Sequence, residues 1–236
     1  METLPPDIIR EICPYLNWHT LVKFYQTSHN IHSIVEYFVS KDRLCRWIYV
    51  NRGYYSHPRS IHIIKKMNLN SRALRYIPPE FSYINARKLN LHDNKLSEVS
   101  LGIYQMTNLT KLVLCKNKIN HISPDIKKLI NLQQLYLEHN NLRKIPSEIY
   151  QLTNLSTLEL HYNKLVFISP NIIQLKKLER ITLDNNELVT HPIEMNNFKN
   201  LQYITLHNNK TKLKYPGKFK FENSSSEDIS YSSDDN

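Results

Sequence analysis

Hydrophobic and polar residues follow one pattern that recurs seven times between residues 64 and 211. Apolar residues hold the first, fourth and sixth positions of every unit, and the positions between them are mostly polar. The units begin at Ile64, Ala86, Leu109, Leu132, Leu155, Leu178 and Leu201. Alternation at the fourth and sixth positions predicts one short strand in each unit. A fixed period of 22 or 23 residues indicates a solenoid of stacked units with a broad concave surface.

The rest of each unit predicts a turn and a return segment. An Asn stands at the ninth position in every unit except the first, where Arg72 replaces it. We expect these Asn side chains to be buried and to bond the backbone of adjacent turns as a ladder. Ile-Pro or Ile-Ser-Pro steps then open the convex return, because Pro fixes φ and needs no hydrogen-bond acceptor. Ile126, Ile149 and Ile172 are expected to pack beneath that segment.

The consensus L-x-x-L-x-L-x-x-N-x-L resembles that of leucine-rich repeat proteins. The resemblance implies an α/β solenoid, a horseshoe with a parallel β-sheet on its concave face, over residues 64–211. Such proteins usually bind other proteins on that face. We therefore expect a binding protein that is not an enzyme, with no catalytic residues and no cofactor.

The variable positions along the strands supply the candidate target contacts on the concave face. Tyr136 and Tyr162 are the best candidates for anchors, because aromatic side chains dominate the energy of many interfaces. The full set is Lys88, Lys111, Val113, Gln134, Tyr136, Glu138, Glu159, His161, Tyr162, Arg180, Asp184 and Tyr203. The alternative is that these positions merely tolerate polar residues.

Residues 1–50 lack the repeat and predict three short amphipathic helices. Their pattern Leu4-Pro5-x-Asp7-Ile8-Ile9-x-x-Ile12-x-x-Tyr15-Leu16, followed by Leu21, Phe24, Ser28 and Ile31, resembles the F-box. The third helix lacks the Trp that the family often has near its middle. The resemblance implies an adaptor face built or bordered by Leu4, Pro5, Ile8, Ile9, Leu16 and Leu21. Residues 51–63 are expected to link this helical module to the repeats.

F-box proteins dock on the Skp adaptor of a cullin–RING ubiquitin ligase and hold a substrate through downstream repeats. The resemblance implies that this chain is such a substrate receptor, with a Skp-type adaptor, a cullin complex and an unidentified target protein as partners. The alternative is an adaptor-independent scaffold whose N-terminal helices only cap the solenoid. The layout also resembles leucine-rich repeat proteins of giant, mimivirus-type DNA viruses, which would imply action in the host cytoplasm or nucleus.

Charge is unevenly distributed along the chain, whose formal net charge is +10. Residues 222–236 contain five acidic residues and no Lys or Arg, and this tail is too polar to fold alone. Residues 212–221 are expected to cap the last repeat. The basic body could attract nucleic acid through Lys66, Lys88, Lys111 and Lys116, although we expect a protein partner instead. Association of the acidic tail with the basic body is a further hypothesis.

The remaining signals favour an intracellular monomer. The three cysteines, Cys13, Cys45 and Cys115, are odd in number and widely spaced, which is typical of free thiols in a reducing compartment. Lys111 and Lys116 flank Cys115, so a lowered thiol pKa is expected. No apolar run approaches the ~20 residues of a membrane span. Glu138, His161 and Asp184 fall on successive units, but we expect no metal there.

Overall fold

The computed structural model describes residues 65–190 and 197–210, and these residues stack as seven successive rungs. The predicted F-box-like module, the linker and the C-terminal segments lie outside the described residues. Each rung contributes one strand of three residues. The strands are β1 Lys66–Asn68, β2 Lys88–Asn90, β3 Lys111–Val113, β4 Gln134–Tyr136, β5 Thr157–Glu159, β6 Arg180–Thr182 and β7 Tyr203–Thr205.

The seven strands form one parallel sheet in sequence order. Every strand pairs with the next in an unbroken register, so residues at one repeat position lie side by side across the sheet. Leu112, for example, pairs with Leu89 on one side and Leu135 on the other. Because the period is 22 or 23 residues throughout, equivalent side chains of successive units form rows that run along the solenoid.

The predicted alternation is confirmed by the core. Leu112, Leu114, Leu135 and Leu137 are at most 1% exposed, and the equivalent aliphatic residues of the other rungs join them in one continuous apolar cluster. Burial of these side chains supplies the main driving force for stacking the rungs.

Short helices return the chain on the convex side. Residues 65–190 contain four 3-10 helices and one α-helix, α1, at Leu101–Tyr104. The 3-10 helices are Pro79–Tyr83, Pro124–Lys128, Ser147–Gln151 and Pro170–Gln174. Where the step is Ile-Ser-Pro, the Ser hydroxyl caps the helix: Ser123 Oγ accepts a hydrogen bond from the Asp125 amide at 3.2 Å. Ile126, Ile149 and Ile172 belong to these helices and are buried, as predicted.

The predicted asparagine ladder is confirmed. The Oδ1 atom of Asn117 accepts the Leu96 amide at 3.0 Å, and its Nδ2 donates to the Leu91 carbonyl at 3.0 Å. Both partners belong to the preceding rung. The same pair of contacts recurs at Asn94, Asn140, Asn163, Asn186 and Asn209.

The residue before each ladder position adopts a left-handed backbone with φ between 52° and 54°. The residues are Ser71, Asp93, Lys116, His139, Tyr162, Asn185 and Asn208. This conformation turns the chain sharply off the sheet. Glycine would enter it without steric cost, yet none of these residues is glycine.

Candidate functional site

The structure divides the twelve predicted concave contacts into two groups. Eight are at least partly exposed: Lys88, Lys111, Gln134, Tyr136, His161, Tyr162, Arg180 and Tyr203. Four are buried, which corrects the expectation that every variable position faces outward: Val113, Glu138, Glu159 and Asp184. Strands of a sheet lie only about 4.8 Å apart, so larger neighbours cover a short side chain between them.

Glu159 is the centre of a polar network although it is only 1% exposed. Arg180 Nε donates to its Oε1 at 2.6 Å, the Thr182 hydroxyl donates to its Oε2, and His161 Nδ1 lies 3.7 Å from Oε2. Burial alone would raise the pKa of Glu159, but the hydrogen bonds from His161 and Thr182 and the Arg180 charge lower it overall. The carboxylate is therefore ionised and holds three neighbours in place.

Two cations are stacked on tyrosine rings of the concave face. The Arg180 guanidinium lies 3.8 Å from the centre of the Tyr203 ring, and Lys111 Nζ lies 4.9 Å from the centre of the Tyr136 ring. Both distances suit cation–π attraction. Arg180 is thus held from one side by Glu159 and from the other by Tyr203, which fixes its orientation before any partner arrives.

Glu138 occupies the preceding rung and behaves differently from Glu159. Its side chain is 4% exposed, and burial raises its pKa to about 7; the nearby His161 lowers the pKa and Glu159 raises it. The Cys115 thiol hydrogen bonds with Glu138, and Cys115 Sγ also lies 2.9 Å from His92 Nδ1. Glu138 can therefore change its charge near neutral pH.

The expected low pKa of the Cys115 thiol is wrong. Cys115 is 1% exposed, and burial, followed by the negative charge of Glu138, raises its pKa far above the usual range. The nearby Lys116 acts in the opposite direction but is a smaller influence. Cys115 is therefore an inert, protonated thiol.

Three rings form an aromatic cluster at the end of β4 and β5. His139 stacks on Tyr162 with ring centres 4.3 Å apart, and His161 meets both rings edge-on at 5.7 Å. Tyr162 remains 48% exposed. His139 was not among the predicted contacts, although it holds the same turn position as Tyr162 one repeat earlier. That shared position was the signal that could have identified it.

The residues considered for a metal do not assemble a site. Asp184 Oδ1 accepts the His207 backbone amide at 2.6 Å, while His161 faces Glu159 and Thr182. Within the two described ranges, no group of three or more His, Cys, Asp or Glu residues could hold a metal ion.

A second exposed surface lies beside the sheet. Val166, Phe167 and Val189 are 44%, 53% and 51% exposed, and the Val189 amide donates to the Val166 carbonyl at 3.3 Å. Val166 and Val189 hold the twelfth position of their repeats, and Phe167 follows Val166. The repeat that starts at Leu132 has the charged Arg143 at the twelfth position. Their apolar character could have identified this surface, but the predicted contacts were drawn from the strands and the turns that follow them.

The geometry agrees with comparisons to known proteins. The sequence profile of the leucine rich repeat family matches residues 84–142, 107–165 and 130–188. Residues 84–188 are leucine-rich repeats. The other rungs continue the same sheet in the same register.

Solved structures support this assignment of the repeats. An LRR protein of Leptospira interrogans is 29% identical with a TM-score of 0.57, covering 65% of this chain and 45% of its own. The LRR ectodomain of the Arabidopsis thaliana membrane receptor kinase GASSHO1/SCHENGEN3, in complex with CASPARIAN STRIP INTEGRITY FACTOR 2, is 31% identical with a TM-score of 0.54. That match covers 60% of this chain and 18% of the ectodomain, so the chain spans less than half of either structure.

No curated protein matches the sequence significantly. In the part of the chain that the structure describes, no helix has the length and apolar character needed to cross a membrane.

Proposed function

We propose that this chain is a non-catalytic protein-interaction module that binds a polypeptide target on its concave sheet. The observation that carries this proposal is the set of pre-organised side chains Tyr136, Tyr162, Arg180 and Tyr203. Each of these side chains already rests on a neighbour, so ordering it on binding costs little entropy. Aromatic and Arg side chains of this kind commonly dominate binding energy.

Alanine substitution on the concave face tests the proposal. Proteins captured from cell extract by the wild-type chain should be lost with Tyr136→Ala combined with Tyr162→Ala. Tyr76→Ala is the matched control, because Tyr76 is an exposed tyrosine of the same array outside the sheet. Partners that survive the double substitution, or that are lost equally with the control, would refute binding on the concave face.

We further propose that the target is presented to a ubiquitin ligase. The support is the sequence of residues 1–50, which resembles an F-box and precedes the repeats as in F-box receptors. In this arrangement Leu4, Pro5, Ile8, Ile9, Leu16 and Leu21 bind a Skp-type adaptor, and a cullin complex follows. The resemblance of the sequence to giant-virus proteins supports an action inside a host cell.

Co-precipitation with a purified Skp-type adaptor and cullin tests this finer proposal. Leu4→Ala combined with Ile8→Asp should abolish recovery of the adaptor, while circular dichroism checks that the repeats remain folded. No recovery by the wild-type chain would exclude the receptor role. Target binding that persists without any adaptor would favour the alternative, a scaffold whose N-terminal helices only cap the repeats.

A further inference from the structure

Three lysines lie side by side on the first three strands. Lys66 pairs with Lys88, and Lys88 pairs with Lys111, in the register of β1, β2 and β3. Adjacent strands are separated by about 4.8 Å, and like charges directly opposite one another disfavour the pairing. The three side chains concentrate positive charge on this part of the concave sheet. We call Lys66, Lys88 and Lys111 the lysine row.

None of the strand positions on these three rungs holds an acidic residue, and the exposed Asp93 lies in the turn after β2. The other variable residues on these rungs are Asn68, Asn70, Asn90, His92, Val113 and Cys115. On the next two strands and their ends the acidic side chains are Glu138 and Glu159, which are buried. The concave face is therefore basic on β1 to β3, whereas the negative charges of the next two rungs are buried. A basic surface of this kind steers acidic partners toward it.

We propose that the lysine row is a binding site for an extended acidic segment, and that residues 222–236 of the same chain occupy it. This segment contains Glu222, Glu227, Asp228, Asp234 and Asp235 and no Lys or Arg. Asn68 and Asn90 lie beside the row and pair with each other in register. Their Oδ1 atoms accept the Asn70 and His92 amides at 3.2 and 2.9 Å, which holds both side chains next to the lysines.

The length of the chain permits this contact. Glu222 lies twelve positions after Lys210, in the last rung, and twelve extended steps reach about 40 Å. Four strand spacings, about 19 Å, separate β7 from β3, and six spacings, about 29 Å, separate β7 from β1. Tethering also gives the segment a high effective concentration, so a weak ionic contact suffices to keep the site occupied.

Occupancy of the lysine row by residues 222–236 would reduce target binding, a consequence that rests on the proposed function. The lysine row shares the concave sheet with Tyr136, over whose ring Lys111 lies. A bound acidic segment would therefore compete with a target that uses the same sheet. The contact itself can be measured without any target, which separates this inference from the proposed function.

Carbodiimide crosslinking of the full-length chain tests the contact, because this reagent joins a carboxylate to an amine only when the two already touch. At low protein concentration and low salt, mass spectrometry should find links from residues 222–236 to Lys66, Lys88 or Lys111 within one molecule. The yield should fall several-fold at high salt, where the Debye length shrinks to about 3 Å at 1 M. Links only between molecules, or spread over all lysines in proportion to exposure, would overturn the proposal.

A labelled peptide of residues 222–236 provides an independent measurement. A full-length variant with the five acidic residues of the segment changed to Gln or Asn should bind this peptide at least tenfold more tightly than the wild type, because its site is vacant. Adding Lys66→Gln, Lys88→Gln and Lys111→Gln should abolish that binding. The matched control changes the exposed Lys127, Lys176 and Lys199, which removes the same charge outside the strands.

The remaining outcomes also decide the question. Equal loss of peptide binding with the control lysines would reduce the interaction to net charge and overturn the assignment to the lysine row. If DNA binds through the lysine row while the peptide does not, the site belongs to nucleic acid and the proposal is wrong.

Discussion

The burial of Glu138 predicts that the stability of the folded chain depends on pH. The folded-state pKa is about 7, against an ordinary value of 4.5, because burial penalises the charged carboxylate. Between these values the folded chain retains a proton that the unfolded chain has released. The stabilisation from protonated Glu138 is thus complete below pH 4.5 and is lost as the pH rises through about 7.

The magnitude follows from the size of the shift. One pKa unit corresponds to about 1.4 kcal/mol, so this shift amounts to roughly 3 kcal/mol between mildly acidic and alkaline solution. The groups facing Glu138 are Cys115 on the preceding rung and His161 and Glu159 on the following one. Glu138→Gln keeps the shape of the protonated side chain but cannot ionise.

Urea unfolding at a series of pH values from 5 to 9 measures the effect. The free energy of unfolding of Glu138→Gln minus that of the wild type should increase by roughly 3 kcal/mol across this range. Contributions from all other groups largely cancel in the difference. Glu98→Gln, which removes an exposed carboxylate, is the control for the loss of one charge. A difference that stays constant with pH, or that decreases, would refute the reasoning.

Three further substitutions test other contacts through the free energy of unfolding in urea at neutral pH. Glu159→Gln should destabilise by roughly 1–3 kcal/mol, because Arg180 loses its ionic partner but is partly exposed to water; no change would indicate that the network contributes nothing. Asn140→Ala removes hydrogen bonds to Ile119 and Leu114 and should cost about 2–4 kcal/mol, whereas the exposed Asn131→Ala serves as control. Gly102→Ala would place a Cβ 2.2 Å from the Pro79 carbonyl oxygen and should cost about 3 kcal/mol, and a neutral effect would contradict the close packing of α1 on the helix Pro79–Tyr83.

The periodic features of the fold could be predicted from the sequence. Leu135 and Leu137 alternate inward and the asparagines recur at one position, because backbone geometry repeats whenever the chain returns to the sheet. The number and order of the strands followed from counting these units. Each of these properties depends on a local pattern alone.

The candidate site was less predictable because its properties depend on neighbouring rungs. Glu159 occupies a variable position, but Arg180 and Thr182 of the next rung cover and bind it. Cys115 has lysines close in sequence, yet its surroundings in space are His92 and Glu138. Sequence spacing gives the row in which a side chain lies, whereas its burial and charge depend on residues about 23 positions away.

The hydrogen bonds that the asparagine ladder makes between rungs all run in one direction along the solenoid, from each rung to the one before it. Every ladder residue binds backbone groups of the rung before it, as Asn209 does with Leu183 and Leu188. Removing the C-terminal rung would therefore leave backbone groups of the rung before it without their asparagine partner. Removing β1 with its rung would break only the bonds that Asn94 makes to that rung. Shortening or lengthening this array by whole units should accordingly be tolerated better at its beginning than at its end.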